Sequence, residues 1–258
     1  MINLDEIANT WLDSGVKKGD TLLLHSNISR WSRILLKSKI KNPLDIILNS
    51  FLKALGDEGT LILPLFNFDF NKGVTFDIFS TPSQMGALTE YGRLKNNAKR
   101  SGHPVYSFCA IGKYSNDFEN IINKSAYSDK SPFQLIRELD GSIAVLDLDD
   151  QKSMTFFHHV EEICEVNYRY LKNFKGNYID KKGNLELRTF QIYVRDISKG
   201  VKTFVNPMGE ILWENNIYSG YRPGIKSGLR IAKANQIFVA TERIIKEGKS
   251  ENTLFKYS

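Results

Sequence analysis

Three short, unbroken apolar runs constrain the fold of this chain more than any other feature. They lie at residues 21–24, 60–64 and 143–146, and each is bounded by turn residues. Runs of this length indicate strands buried on both faces, because a half-exposed strand would alternate apolar and polar residues. Residues 43–55 repeat apolar side chains at helical spacing after a capping asparagine, Asn42. The pattern predicts an α/β protein.

Length and composition indicate a globular domain. The chain has 258 residues, 41% hydrophobic and 25% charged, enough for one large α/β domain or two small ones. No internal repeat or low-complexity linker divides it, so we expect a single domain over residues 1–258, with a less regular carboxyl-terminal third. In that third, residues 176–194 suggest a hairpin around 181–184, and residues 234–247 suggest a strand followed by a helix.

The sequence carries no targeting or membrane signal that we recognise. Its first fifteen residues are acidic and polar, and no apolar run approaches the ~20 residues that span a bilayer. Cys109 and Cys164 are isolated, which suggests neither a disulfide framework nor a zinc site. We expect a cytoplasmic, reduced protein that does not enter the membrane.

The net charge of +6 favours anionic partners. Nucleic acid is one candidate, but no helix-turn-helix, zinc-finger or aromatic RNA-binding signature is visible. A phosphate-bearing small ligand fits equally well, so charge alone does not choose between them.

Residues 155–162 contain two of the four histidines and are the strongest candidate for chemistry. If this stretch is helical, His158 shares a face with Glu161 and Glu162. An imidazole beside a carboxylate suits general acid–base catalysis, although the octet taken alone favours a surface pair with no catalytic role. A metal site is less favoured, because a His-Glu-x-x-His pattern is absent.

Two further stretches could bind ligands. His25 to Arg30 follow the first apolar run, and the carboxyl ends of such strands hold ligand sites in open α/β sheets. Residues 65–80 are aromatic and polar without a regular period, and they either cover the core or line a cleft.

Several segments occur in one recognisable order. They are His25-Ser26-Asn27, residues 56–61, residues 82–88, Arg100 to Pro104, Ser131-Pro132 and Thr155-x-x-His158-x-x-Glu161. The series resembles the aminoglycoside 3-N-acetyltransferase family over residues 20–162. The resemblance implies one α/β domain with a central mixed β-sheet flanked by helices on both faces. It also implies direct acetyl transfer from acetyl-CoA to an amine within a ternary complex, without a covalent acyl-enzyme; as the missing metal pattern indicates, we expect no metal.

The resemblance also assigns roles to residues. It implies that His158 is the catalytic base and that Glu161, or failing that Glu162, holds its ring. The implied CoA-binding residues are His25, Ser26, Asn27, Ser29, Arg30, Arg100, Ser101, His103 and Ser107. At Asn27 the family usually has a second serine, and the segment around Pro104 could instead be a rigid turn. His25 could simply cap a strand end.

The acceptor amine is less constrained. Candidate substrate-binding residues are Phe66, Asn67, Asp69, Thr155, His159 and Glu162, and Asp147, Asp149 and Asp150 could form a local acidic wall. Because the chain is basic, we prefer a nucleotide-linked amino sugar for surface polysaccharide as the acceptor. An aminoglycoside antibiotic is the alternative, with a different acyl group or a non-enzymatic nucleic-acid or phosphate-binding module also open. The sequence does not indicate the oligomeric state.

Overall fold

The computed structural model describes residues 3–258. Its α-helices are α1 (Leu4–Asp13), α2 (Ser29–Lys37), α3 (Pro43–Leu55), α4 (Ala87–Arg93), α5 (Ser115–Glu119), α6 (Pro132–Glu138), α7 (Phe156–Ile163), α8 (Asn206–Glu214) and α9 (Ala234–Lys246). Its strands are β1 (Thr21–Ser26), β2 (Thr60–Pro64), β3 (Phe76–Asp77), β4 (Lys99–Arg100), β5 (Phe108–Gly112), β6 (Ser142–Leu146), β7 (Arg169–Ile179), β8 (Leu185–Arg195), β9 (Val201–Thr203), β10 (Ser219–Gly220), β11 (Leu229–Lys233) and β12 (Phe255–Tyr257).

A seven-stranded sheet runs through the centre of the molecule in the order β10-β11-β6-β1-β2-β5-β4. The three apolar runs are its adjacent central strands, and β1 lies parallel to both β2 and β6. The outer strands β11 and β5 are antiparallel to their neighbours. The predicted α/β fold with a mixed central sheet is therefore confirmed.

Alternate residues of the central strands pack into two separate cores. Leu22 and Leu24 join a core with α1, α2 and α3, whereas Leu23 joins a core that includes residues of α6, α7 and α9. Both faces of the sheet are thus covered by helices, which explains why nearly every position of the central strands is buried.

A long antiparallel hairpin, β7 and β8, begins the carboxyl-terminal third. Its register extends from Arg169 opposite Arg195 to Ile179 opposite Leu185, so the turn falls where the sequence suggested a hairpin. The expectation of a strand within residues 234–247 is wrong. The strand, β11, ends at Lys233, and α9 occupies that stretch.

Among residues 3–258, no helix is long and apolar enough to cross a membrane.

Candidate active site

His158 and Glu161 lie one turn apart on α7, and their side chains are in contact. Nδ1 of His158 is 2.7 Å from Oε2 of Glu161. The same carboxylate oxygen is 2.7 Å from Nε of Arg169, the first residue of β7. Glu161 is fully buried, and Arg169 is nearly so. The three side chains therefore form one compact cluster, in which Glu161 and Arg169 lie beneath the histidine ring.

The contact with Glu161 determines the tautomer of His158. An ionised carboxylate can only accept hydrogen bonds, so the Nδ1–H of the imidazole is the donor in this pair. Nη2 of Arg169 also lies 2.8 Å from Nδ1; since a guanidinium can only donate, this contact is electrostatic and not a hydrogen bond when Nδ1 carries the proton. With the proton on Nδ1, Nε2 keeps its lone pair and can accept a proton from a substrate.

The electrostatics favour an ionised Glu161 and a neutral His158. Burial alone would raise the pKa of Glu161, but the charge of Arg169 and the hydrogen bond from His158 hold that pKa below its ordinary value. Burial lowers the pKa of His158, and the charge of Arg169 lowers it further. At neutral pH the imidazole is therefore unprotonated, as a general base must be.

His158 reaches a cavity of about 290 Å³ between α7 and the β7–β8 hairpin. Its side chain keeps 18% of its surface exposed, while Glu161 keeps none. Tyr106 and Tyr127 form part of the cavity wall, and the Tyr127 ring centroid is 5.6 Å from that of His158. Within this cluster His158 is thus the acid–base group that can meet a substrate.

A row of aromatic rings connects the end of β1 to this cavity. The ring centroids are 6.4 Å apart for His25 and Phe66, 4.8 Å for Phe66 and Tyr106, and 4.9 Å for Tyr106 and Tyr127. The predicted catalytic histidine and the predicted cofactor strand end are therefore joined through three intervening rings. His25 itself is buried, and burial together with the charge of Arg230 lowers its pKa to about 3.

The polar segment after β1 divides into exposed and fixed residues. Ser26 is half-buried, and Asn27 and Ser29 are joined by a hydrogen bond from the Ser29 backbone N–H to the Asn27 side-chain oxygen. Arg30 is held elsewhere: its guanidinium pairs with Asp147 at 2.8 Å and donates to the backbone carbonyl of Ser227. Arg30 therefore holds the loop that contains Ser227, and the charge of its guanidinium is already balanced by Asp147.

The second predicted cofactor segment forms an internal turn. Arg100 donates to the carbonyl of Thr81, and the Ser101 hydroxyl accepts the backbone N–H of Phe108. The His103 ring contacts the Gln191 carbonyl through Nε2, and Ser107 accepts from Arg100. Ser101, His103 and Ser107 have no exposed surface, and Arg100 has 8%. The geometry matches the rigid-turn alternative and gives these side chains no face toward a cofactor.

Two predicted substrate residues line a different cavity. Asn67 and Asp69 border a separate cavity of about 220 Å³, whose lining does not include His158. The side chain of Asn67 is tied to the Pro82 carbonyl, and Asp69 pairs with Lys72. Phe66 is buried in the aromatic row described above.

The remaining substrate candidates belong to α7 and its start. Thr155 is the residue before the first turn of α7 and makes no capping hydrogen bond there. His159 is fully buried on the other side of the helix, where Nδ1–H donates to the Tyr127 carbonyl at 2.6 Å. Burial lowers the pKa of His159 to about 4. Glu162 accepts from the Ser125 hydroxyl and does not contact the His158 ring.

The suggested acidic wall does not form. Asp147 is paired with Arg30, and Asp150 is buried against Arg230 and the Tyr218 hydroxyl. Asp149 accepts the backbone N–H of Lys152 at the start of a short 3-10 turn. These carboxylates stabilise the loop before α7, and they are absent from the lining of the His158 cavity.

Sequence reasoning missed Arg169. The available signal was a single basic residue in the aromatic stretch Tyr168-Arg169-Tyr170, shortly after the histidine octet. Its role depends on where β7 begins relative to α7, which no local spacing indicates. Among the described residues, no group of three or more His, Cys, Asp or Glu side chains is arranged to hold a metal ion.

The fold and the site together define an α/β protein in which a histidine, fixed by a buried ionised carboxylate, can take up a proton inside a cavity. A family model described as aminoglycoside 3-N-acetyltransferase matches residues 23–219. The chain belongs to this family.

Individual relatives support the same placement. The SPbeta prophage-derived aminoglycoside N(3')-acetyltransferase-like protein YokD of Bacillus subtilis is 24% identical over 175 residues, which cover 57% of this chain and 60% of YokD. This alignment thus spans less than two thirds of that relative. The structure of AAC-IIIb in binary complex with CoASH superposes with a TM-score of 0.80 at 17% identity, covering 96% of this chain and 97% of the other. The structure of AAC-VIa bound to sisomicin gives a TM-score of 0.78 at 15% identity, with coverages of 97% and 99%.

Proposed function

We propose that this protein is an acetyl-CoA-dependent N-acetyltransferase in which His158 is the general base. One observation carries the proposal: Nδ1 of His158 is fixed by an ionised Glu161, which leaves Nε2 unprotonated within a cavity. An ammonium group cannot attack a thioester until it loses a proton, and this arrangement provides an acceptor for that proton.

The reaction needs no covalent intermediate on the protein. Nε2 of His158 takes a proton from the acceptor ammonium, and the resulting amine attacks the thioester carbonyl of acetyl-CoA. The new C–N bond forms as the C–S bond breaks, the proton on Nε2 passes to the departing thiolate, and the nitrogen releases its second proton to solvent as the neutral amide forms. Glu161 and Arg169 are positioning residues: they hold the ring and its tautomer, and Glu161 stabilises the imidazolium that forms transiently.

The cofactor side rests on the family and on the β1 end. One structural relative is described as a complex with CoASH, so acetyl-CoA is the proposed co-substrate. Within the predicted CoA-binding segment, Arg30 is already paired with Asp147. The residues that remain accessible to acetyl-CoA are Ser26, Asn27 and Ser29.

For the acceptor, the relatives favour the aminoglycoside alternative over the nucleotide-linked amino sugar that the sequence led us to prefer. YokD is described as aminoglycoside acetyltransferase-like, and AAC-VIa was solved with sisomicin. None of the relatives described above is named for a nucleotide-linked substrate. An amine on a sugar or a related polyol is the acceptor class that we propose.

The test combines binding and turnover. Acetyl-CoA should raise the melting temperature of the wild-type protein and of His158→Ala alike, since a ligand at 100 times its dissociation constant adds about 2.7 kcal/mol of stability. Release of CoA thiol in the presence of an acceptor amine should fall by at least about a hundredfold in His158→Ala. Full turnover in that variant, or no thermal shift in either protein, would refute the proposal.

A further inference from the structure

The cavity beside His158 is positively charged. Arg169, Lys172 and Arg195 contribute to its wall, and none of its lining residues within the described chain is an aspartate or glutamate. Glu161 lies directly beneath the ring, but it is fully buried and its charge is balanced by Arg169. A ligand entering the cavity therefore meets cations.

Two of these cations have no carboxylate partner among the described residues. The side chains of Lys172 and Arg195 are exposed, and neither forms an ion pair with any carboxylate among residues 3–258. Asp196, which follows Arg195 in sequence, pairs instead with Lys199 at 3.3 Å. Arg195 is thus left free next to the catalytic ring, close enough for its charge to lower the pKa of His158.

The hairpin register places like charges together. Arg169 and Arg195 are directly opposite on β7 and β8, an arrangement that destabilises an antiparallel pair unless an anion lies nearby. Glu161 balances Arg169, but nothing within the described chain balances Arg195. The pair suits an anion supplied by a ligand.

We propose that the acceptor amine carries a phosphate or carboxylate, which Lys172 and Arg195 bind while the amino group faces Nε2 of His158. This inference rests on the acetyl transfer proposed above and specifies its acceptor. An anionic acceptor is attracted by the cavity, whereas a polycation with no counter-charge is repelled. Charge-assisted hydrogen bonds from a guanidinium and an ammonium would fix the acceptor's orientation.

A matched pair of amino sugars tests the charge requirement. Glucosamine and glucosamine 6-phosphate offer the same amine with and without an anion. We expect the wild-type protein to acetylate the phosphate at least about tenfold better in kcat/KM than glucosamine, and better than the polycation kanamycin. In the double variant Lys172→Gln/Arg195→Gln, kcat/KM for glucosamine 6-phosphate should fall about tenfold more than kcat/KM for glucosamine, so that the preference for the phosphate is lost.

Lys175→Gln is the control variant. Lys175 is exposed on β7 but does not line the cavity, so its loss should leave both kcat/KM values at wild-type levels. A general loss of positive charge would instead weaken the phosphate substrate in the double variant and the control to a similar degree.

The phosphates of CoA are the other source of negative charge, and calorimetry distinguishes them. Our proposal predicts the same CoA dissociation constant for the wild type and the double variant, and tighter binding of glucosamine 6-phosphate than of glucosamine to CoA-saturated wild-type protein. A tenfold weaker CoA affinity in the double variant would assign these cations to CoA and overturn the inference. Equal binding of the two sugars, or preferred turnover of kanamycin, would overturn it as well, while leaving the His158-dependent transfer intact. Absence of CoA binding would instead refute the proposed function.

Discussion

Acidification should destabilise this protein steeply between pH 7.5 and pH 5, because its histidines are buried in the neutral form. Burial lowers the pKa of His103 and of His159 to about 4, and that of His25 to about 3, from an ordinary value of 6.5. At pH 5, protonation of one histidine stabilises the unfolded chain by about 2 kcal/mol. The folded chain gains almost nothing, because its buried histidines stay neutral at that pH. A folded-state pKa below the unfolded value means that stability is present above pH 6.5 and is lost as the pH falls.

The three residues together should cost about 6 kcal/mol by pH 5, a large part of the 5–15 kcal/mol that stabilises an ordinary domain. Asp150 and Glu162 act in the opposite direction, because burial raises the pKa of each carboxyl and folding therefore favours its protonation. Glu161 adds to the loss only at lower pH, since its pKa lies below the ordinary carboxyl value. The window between pH 7.5 and pH 5 thus reports chiefly on the histidines.

Urea unfolding at a series of pH values measures this loss directly, provided that the slope of free energy against urea stays constant. The decisive variant is His159→Gln, which replaces the buried imidazole by a polar side chain that cannot titrate. We expect it to lose about 2 kcal/mol less than the wild type over the same window.

Phe156→Leu provides the matched control. Phe156 packs against the His159 ring at a centroid distance of 5.4 Å, so its truncation disturbs the same part of the core without removing a titrating group. This variant should be less stable at every pH but keep the wild-type pH dependence. If His159→Gln is as sensitive to acid as Phe156→Leu, His159 does not remain neutral in the folded state, and the reasoning from burial is refuted.

Three further predictions concern the site. Glu161→Gln should lower kcat about a thousandfold at unchanged CoA affinity, because an amide can donate to Nδ1 and favour the wrong tautomer. Glu162→Gln should lower kcat far less, and equal losses in the two variants would contradict the assignment. The acid limb of the profile of kcat/KM against pH should lie below pH 6.5 and move to higher pH in Arg169→Gln, since the Arg169 charge lowers the pKa of His158. In Arg169→Lys the acid limb should stay near its wild-type pH. An unmoved limb in the glutamine variant would show that Arg169 does not lower the pKa of His158. Arg30→Gln should lower the free energy of unfolding by about 1–3 kcal/mol without changing CoA affinity, and weaker CoA binding at unchanged stability would restore the cofactor role inferred from the sequence.

The parts of the fold that local patterns determine were predictable. The three apolar runs are the three central strands, because a strand buried on both faces requires a short unbroken run of apolar residues, which few other structures contain. The pairing of His158 with Glu161 followed from helical spacing alone. Arg169 did not, since it reaches the carboxylate from the next strand, and a contact between elements has no signature in residue spacing.

The segment from Arg100 to Ser107 shows the opposite case. Its arginine, serines and histidine have the chemistry of an anion site, and the family resemblance placed a cofactor there. In the folded chain most of these groups hydrogen-bond one another or nearby carbonyls, and Nη2 of Arg100 is the atom left without a partner among residues 3–258. Residue type alone cannot distinguish a polar group that binds a ligand from one that fixes a turn.

Local charge misled the sequence reading for a related reason. The acidic run at residues 147–150 suggested a wall that would attract a cation, but Arg30 and Arg230, distant in sequence, neutralise two of its carboxylates. The unpaired charges that line the His158 cavity belong instead to Lys172 and Arg195, which no continuous motif connects. Because salt bridges between distant residues cancel charge inside a protein, the sign of a binding site is set by the cations and carboxylates left unpaired. In this cavity they are cations, and the acceptor should be chosen for testing on that basis.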